Sequence, residues 1–377
     1  MIMGLPPTPP RMLNCVPAEP WPVHPSRLVK FSVLCLLLSH LRRHPGTNTY
    51  LIGPQNPYIL IDTGEGLDSY IPVLKIALES PSNPDKEDVS DIIISHWHHD
   101  HVGGIPSVLA LLKDLWESRN PGQPYAPPRL HKYPLPEGAE GGHTNSDRNK
   151  LSRLAEQLAQ GTYTPSPTGG VFHDFYDSQV LHNSKGSPLL RVLHTPGHTV
   201  DSIALYVYPD STLYTADTVL GHGTAVFEDL GAYIASLRRM LRFGTPNAAP
   251  DEAVPDFSYT SLYPAHGAVV AKGRELISTY IEHRLEREAQ VIGVLRTPAD
   301  TSGNDAGSKT GFSPWTTWDI VKKLYRGYPE NLWLPAARGI DLHLRKLEAE
   351  GSVQRVGGEG KDTQWKLLIS PAVSPSL

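Results

Sequence analysis

Apolar residues recur along this chain with two different periods. Short apolar runs at residues 50–53 and 58–62 are split by Gly53-Pro54-Gln55-Asn56-Pro57, which predicts a hairpin of buried strands. Residues 89–95, Val-Ser-Asp-Ile-Ile-Ile-Ser, predict another buried strand. Between them, residues 67–78 carry apolar side chains at helical spacing. In 105–116, Ile105, Val108, Leu109, Leu112 and Leu115 share one helix face. Further on, strands are predicted at 129–133, 189–193, 202–207, 212–215 and 259–264, and helices at 149–158, 230–243 and 273–294. Strands and helices interleave throughout, so the class is α/β or α+β around a mixed sheet. No internal repeat is visible.

The two ends read differently. Residues 1–26 are Pro-rich and aperiodic, the pattern of a disordered leader. Residues 31–38, Phe-Ser-Val-Leu-Cys-Leu-Leu-Leu, form an apolar run far short of the ~20 residues a membrane span needs. The run starts well inside the chain and no small-x-small cleavage site follows it. It reads as a buried strand or irregular segment rather than a signal or anchor, and the chain as cytoplasmic. Residues 297–314 have the composition of a linker. Helices are predicted at 320–325 and at 340–350, where Ile340, Leu344 and Leu347 share a face. Strands at 352–356 and 364–368 can pair across a Gly-rich turn. The expected organisation is a leader and atypical segment at 1–45, a catalytic domain at 46–294, a linker at 295–314, and a winged-helix-like module at 315–377. The mixed charge of Arg345, Lys346, Glu348 and Glu350 does not favour nucleic acid at that module.

Composition narrows the chemistry. The 377 residues suffice for one large domain and a smaller one, and the formal net charge of -5 argues against a general polyanion binder. The two cysteines, Cys15 and Cys35, both lie in the N-terminal stretch, so a metal site must rely on His and carboxylates. Directly after the strand at 89–95 comes His96-Trp97-His98-His99-Asp100-His101. So many polar groups so close together need either solvent or a shared partner. A divalent cation is such a partner, since imidazole nitrogen and carboxylate oxygen both suit Zn²⁺. The same context recurs downstream. His194-Thr195-Pro196-Gly197-His198, Ala216-Asp217-Thr218 and Ala265-His266-Gly267 each follow an apolar strand. Ligand sites in layered proteins collect at such strand ends, where loops converge.

These motifs resemble those of the metallo-β-lactamase-fold hydrolases. The HxHxDH signature is written here as His96 to His101, and Asp62-Thr63-Gly64 resembles the early Asp-Thr-Gly that usually supports the site in that family. The resemblance covers residues 46–288 and implies an α+β, four-layer αββα sandwich. It implies two zinc ions per chain: His96, His98 and His198 on the first, Asp100, His101 and His266 on the second, Asp217 bridging. His99 and His194 are expected to be structural, and His222 to stand outside the ligand set. Upstream of residue 46 the family has a strand pair, which residues 29–44 do not resemble. Two cations lower the pKa of a shared water towards neutrality. The resemblance therefore implies hydrolysis at a carbonyl or phosphoryl centre without a Ser or Cys nucleophile, with Asp100 as the catalytic residue that orients the water and passes its proton on.

Within the family, Gly46-Thr47-Asn48-Thr49-Tyr50-Leu51, the Thr195-Pro196-Gly197-His198-Thr199 turn and the helix around Ile281 to Glu288 are similar to one subgroup. It contains the β-lactamase-like 2 proteins and the fungal lactamase-like enzymes that partner polyketide synthases. The first expectation from this likeness is a discrete thioesterase of fungal secondary metabolism. It would release an aromatic polyketide from the acyl carrier protein of a non-reducing polyketide synthase. The alternative is a metal-dependent endoribonuclease of the β-lactamase-like 2 type, with RNA as partner. No membrane association is expected.

Overall fold

Alternation in three short strands sets up the core. In β2 (Tyr50–Ile52) and β3 (Tyr58–Ile61), Leu51, Tyr58 and Leu60 point into one apolar cluster, while Tyr50, Ile52, Ile59 and Ile61 point into another. Strand β4 (Val89–Ile94) divides likewise, Ile92 and Ile94 against Ile93. Both faces of these strands are buried, which is why they read as continuous apolar runs. Burying each aliphatic side chain contributes about 1.5–3 kcal/mol. The computed structural model describes residues 29–30, 46–79, 83–135, 145–183, 185–250, 252, 257–298 and 313–368. The expected leader and the apolar run at 31–38 lie outside the described residues, as does most of the linker. So does the first strand pair of the family, except that β1 (Val29–Lys30) pairs antiparallel with β2.

The chain divides into two units, one of Met1–His194, Asp201–Val226 and Gly244–Gly273, the other of Thr195–Val200, Phe227–Phe243 and Arg274–Leu377. The first unit holds two mixed sheets. One has the order β1-β2-β3-β4-β5-β6, with β5 at Arg129–Lys132 and β6 at Phe172–Asp174. Strands β3 to β6 run parallel and β1 to β3 antiparallel. The other has the order β11-β10-β9-β8-β7, built from β7 (Val180–His182), β8 (Pro188–His194), β9 (Ile203–Val207), β10 (Thr212–Ala216) and β11 (Ser261–Pro264). Only β10 and β11 pair in parallel there. Side chains of both sheets meet in the cluster of Ile59, Ile61, Ile93, Val192, Ile203, Leu205 and Tyr214. On its other face the first sheet packs on α1 (Tyr70–Leu78) through Leu74 and Leu78, and on α3 (Ile105–Arg119) through Val108 and Leu112. Pro106 falls in the first turn of α3, where a missing N–H costs nothing. Between β4 and α3 lies α2 (His99–Val102), a single turn. Helix α4 (Asn145–Gln157) precedes β6.

The second unit contains α5 (Leu230–Arg242), capped by the Asp229 carboxylate accepting from Ala232 N–H at 2.9 Å, and α6 (Gly273–Leu295). It ends in a winged-helix arrangement. Its three-stranded sheet, β12-β14-β13, joins β12 (Trp315–Thr316), β13 (Val353–Gly357) and β14 (Gln364–Leu367). Helices α7 (Thr317–Leu324) and α8 (Trp333–Ala349) cover it through Ile320, Val321, Ile340, Leu344 and Leu347, with Val291 and Leu295 of α6 in the same core. Helix α8 begins at Trp333 rather than at 340 as predicted. Pro335 and Gly339 interrupt the pattern, but Pro335 sits in the first turn, where it is tolerated. Strands β6, β7 and β12 were not predicted. They are two or three residues long, too short to show alternation. Among the described residues no helix is long and apolar enough to cross a membrane.

Candidate metal centre

The parallel strands β3 and β4 end side by side, and their ends build one side of the site. Asp62 follows β3 with a φ of 57°, uncommon for a residue with a Cβ, and its carboxylate is fully buried. Oδ1 accepts from the Ser95 N–H at 2.8 Å. Oδ2 accepts from the Ser95 hydroxyl and from His101 Nδ1, each at 2.8 Å, and from the Tyr214 hydroxyl at 2.5 Å. These bonds fix two tautomers. His101 carries a proton on Nδ1, so Nε2 is the nitrogen that can meet a cation. Ser95 donates to Asp62, so its oxygen accepts from His96 Nδ1 at 3.0 Å, and His96 is oriented the same way. Thr63 holds the other end of the turn, donating its N–H and hydroxyl to His101 O at 3.0 and 2.8 Å. Gly104 is obligatory there, because a Cβ would collide with the Thr63 carbonyl.

The second sheet supplies the facing donors. Ala216, with φ 46°, ends β10 immediately before Asp217, and His266 follows β11. The amide of Asn48 ties this edge together, donating to Pro264 O and Gly267 O at 3.0 and 2.8 Å. Gly267 has φ 86°, and a Cβ there would lie 2.6 Å from His222 Nδ1.

Six of the seven sequence-predicted ligands belong to the first unit, and they meet in two groups that share Asp217. His96, His98 and Asp217 offer donor atoms within 4.8 Å of one another, as do Asp100, His101, Asp217 and His266. His266 Nε2 lies 3.2 Å from both Asp100 Oδ2 and Asp217 Oδ1, and His101 Nε2 lies 3.4 and 3.6 Å from the same oxygens. Buried His101 Nε2 has no hydrogen bond among the described residues. Donors about 2.1 Å from a common tetrahedral centre stand about 3.4 Å apart, so the donor set and its spacing fit a divalent cation.

His198 lies on the Thr195–Val200 turn, in the second unit. Within that unit Gly197 has φ 129°, its carbonyl accepts from Glu228 N–H at 2.7 Å, and Pro196 O accepts from the Ser236 hydroxyl at 2.7 Å. A Cβ on Gly197 would run into the backbone of Tyr233, so the Pro-Gly wording lets this turn lie close against α5. The root of the turn is held in the first unit. His194 pairs with Ile203, whose N–H donates to Ser95 O at 3.1 Å.

Charge dominates the site. Burial opposes protonation of His101, but the carboxylates of Asp100, Asp62 and Asp217 hold its pKa well above the ordinary value. His266 is likewise raised, to about 9, burial being outweighed by hydrogen bonds to Asp100 and Asp217. Burial would raise the pKa of Asp100, yet His101 and His266 lower it far below the usual carboxylate range. The carboxylates outnumber these two histidines, so the centre favours added positive charge.

His99, His194 and His222 belong to neither donor group. His99 is exposed, with its ring against Gly103, and His222 is exposed beside Gly267. His194 stacks on Tyr133 at 3.8 Å. The sequence reading passed over Thr47, Ser95 and Tyr214. The Thr47 hydroxyl donates to Asp100 Oδ2 at 3.2 Å. Each is close in sequence to a motif that was recognised, and that adjacency was the available signal.

Two sheets carrying His and Asp groups at their shared edge find their counterpart among known proteins. The profile of the Metallo-beta-lactamase superfamily matches residues 43–250, and that of the Beta-lactamase associated winged helix domain matches residues 316–365. The chain belongs to the metallo-beta-lactamase superfamily, and the family and the donor groups together define a metallo-beta-lactamase-like hydrolase. It is 32% identical over 314 residues to the Beta-lactamase-like protein 2 homolog of Drosophila melanogaster, covering 82% of this chain and 84% of that one. It is 28% identical to the Lactamase-like protein aptB of Emericella nidulans, over 86% of this chain and 82% of that one. The fold is shared with a beta-lactamase domain protein from Burkholderia ambifaria, with a TM-score of 0.57 at 18% identity over 95% of this chain and 96% of that one.

Proposed function

We propose that the protein is a metal-dependent thioesterase that holds two zinc ions and cleaves an aromatic polyketide from an acyl carrier protein. The observation that carries the hydrolase reading is the pair of donor groups sharing Asp217. His198 is assigned to the set by the likeness of its Thr195-Pro196-Gly197-His198-Thr199 turn to the family's wording. Bound there, divalent cations supply Lewis acidity for ionising water and polarising the scissile carbonyl. The residues do the rest. Asp62 and Ser95 orient the two imidazoles. Asp100, whose side chain is 39% exposed, would orient the attacking water and pass its proton on.

The bond is assigned from chemistry. A thiolate leaves readily, so a thioester needs no protonated leaving group, and beyond the donor groups the site has to supply none. An endoribonuclease is favoured less. It calls for a basic surface and stacking aromatics. The net charge is -5, and among the described residues Tyr176 is the aromatic that counts as an exposed large apolar side chain. The test offers purified protein an acyl-carrier thioester and a short RNA, each with and without chelator, alongside metal analysis. Chelator-sensitive release of the acyl chain is expected. Its absence overturns the thioesterase, and chelator-sensitive RNA cleavage in its place establishes the alternative.

A further inference from the structure

The winged-helix module carries a groove of about 480 Å³ whose walls are charged. One wall is a single face of α8, where Leu334, Arg338, Asp341, Arg345 and Glu348 recur at alternating steps of four and three. The other is the wing, with Arg355 from β13 and Lys361 from the turn before β14. Buried Trp365 lies at the floor. Four cations thus face two carboxylates, and both carboxylates are engaged. Arg345 Nε donates to Asp341 Oδ2 at 2.7 Å, and Glu348 Oε1 accepts from Arg355 N–H at 3.0 Å. Arg338 has no ion pair among the described residues, and Lys361 Nζ rests 4.8 Å over the Trp318 ring without one. Leu334, 67% exposed, gives the groove an apolar end, with Leu332 exposed beside it.

This lining selects its occupant. The surplus of positive charge calls for acidic groups, while Asp341 and Glu348 retain acceptor capacity that only N–H or O–H donors can fill. A phosphodiester backbone offers acceptors alone. Bases could donate, but single strands are held by stacking, and the aromatic side chains here are at the floor or under Lys361. A polypeptide carries carboxylates, N–H donors and an apolar side chain for Leu334 in one segment. We infer that this groove docks an acidic protein surface, that of the carrier protein bearing the substrate. The inference rests on the thioesterase reading and names the partner-binding face it requires. Charge pairs at such a rim set association rate and salt dependence.

The full chain is titrated against a fluorescein-labelled acyl carrier protein bearing its free phosphopantetheine thiol and no acyl group. Binding is read by anisotropy, and hydrolysis of a small acyl-N-acetylcysteamine thioester is followed in parallel. The double variant R338E/K361E is expected to weaken binding by about tenfold or more, and added salt to erase the difference. R338K/K361R should bind as the unsubstituted protein does. K75E/K113E, which reverses exposed lysines of α1 and α3, should bind normally. Small-thioester turnover should be the same in all four proteins. Unchanged binding by R338E/K361E overturns the inference, as does an equal loss in K75E/K113E or displacement of the carrier protein by a short single-stranded RNA. If the unsubstituted protein fails to cleave the small thioester, the thioesterase reading falls, whatever the binding shows.

Discussion

Asp62→Asn changes the charge and donor pattern of the hub behind both metal groups while keeping its shape. The amide has two orientations. With Nδ2 at the Oδ2 position, it confronts the Ser95 hydroxyl, His101 Nδ1 and the Tyr214 hydroxyl, three donors facing a donor. With the oxygen there instead, Nδ2 confronts only the Ser95 N–H. The second orientation is the cheaper. It leaves a buried N–H unpaired at about 1–3 kcal/mol and turns three charge-assisted bonds into weaker neutral ones. Not having to bury a charge offsets part of this. A net loss of about 2–4 kcal/mol is expected, read by urea denaturation of chelator-treated protein. Metal binding should suffer separately, because His101 loses the anionic partner that makes its Nε2 basic. Removing such a partner costs about 10–100-fold in affinity, measured by competition with a chromophoric chelator. Affinity within about twofold of the unsubstituted protein would refute the view that Asp62 orients and polarises His101.

Three further outcomes are expected. Asp100→Ala or His98→Ala should abolish metal-dependent turnover with little change in the far-ultraviolet circular dichroism. Full activity in either variant would remove that residue from the centre. Metal binding at pH 7.5 should release protons, because His266, with a pKa near 9, is protonated in the metal-free protein, and the shift of His101 acts in the same direction. Titration heats that are identical in buffers of different ionisation enthalpy would contradict this. Asp91 lies apart from the centre. Burial would raise its pKa, but hydrogen bonds from His131, Arg129 and Ser90 lower it to about 2. Its contribution, about 2 kcal/mol, is therefore present above the unfolded-state pKa near 3.9 and is lost as pH falls towards 2. Asp91→Asn should be less stable at pH 7 and converge with the unsubstituted protein near pH 2, and a constant gap in a denaturation series would disprove the assignment.

What the sequence revealed follows from the length scale of each signal. The strands β3 and β4 and the helices α1 and α3 were legible because their apolar patterns persist for a turn or more, or run unbroken between turn residues. The ligands were legible because chemistry concentrates them: His96 to His101 occupy one turn at a strand end. Asp62 was legible as support through its Asp-Thr-Gly wording. Tyr214 was not. Its hydroxyl matters because β10 of one sheet lies across from the end of β3 in the other, a tertiary fact that nearness to Asp217 in the sequence hints at without specifying. The same holds for Thr47, which acts across to Asp100. The groove of the winged-helix module was seen only as mixed charge, since its two walls, α8 and the wing, meet through the fold of the module alone.

The Asn48 clasp has a consequence for biosynthesis. Its side chain joins the start of the first sheet to Gly267, 219 residues further along the chain, and the donors around Asp217 draw on both stretches. A ribosome releases the chain from the N-terminus at about 5–20 residues per second, so His96 to His101 emerge well before His266. The nascent chain therefore exposes a histidine-rich turn without the strand that completes it. Cation capture by the full set comes late in synthesis, after β11 has been made and has found β10. A chain cut short of that strand lacks His266, the donor that lies 3.2 Å from both Asp100 and Asp217.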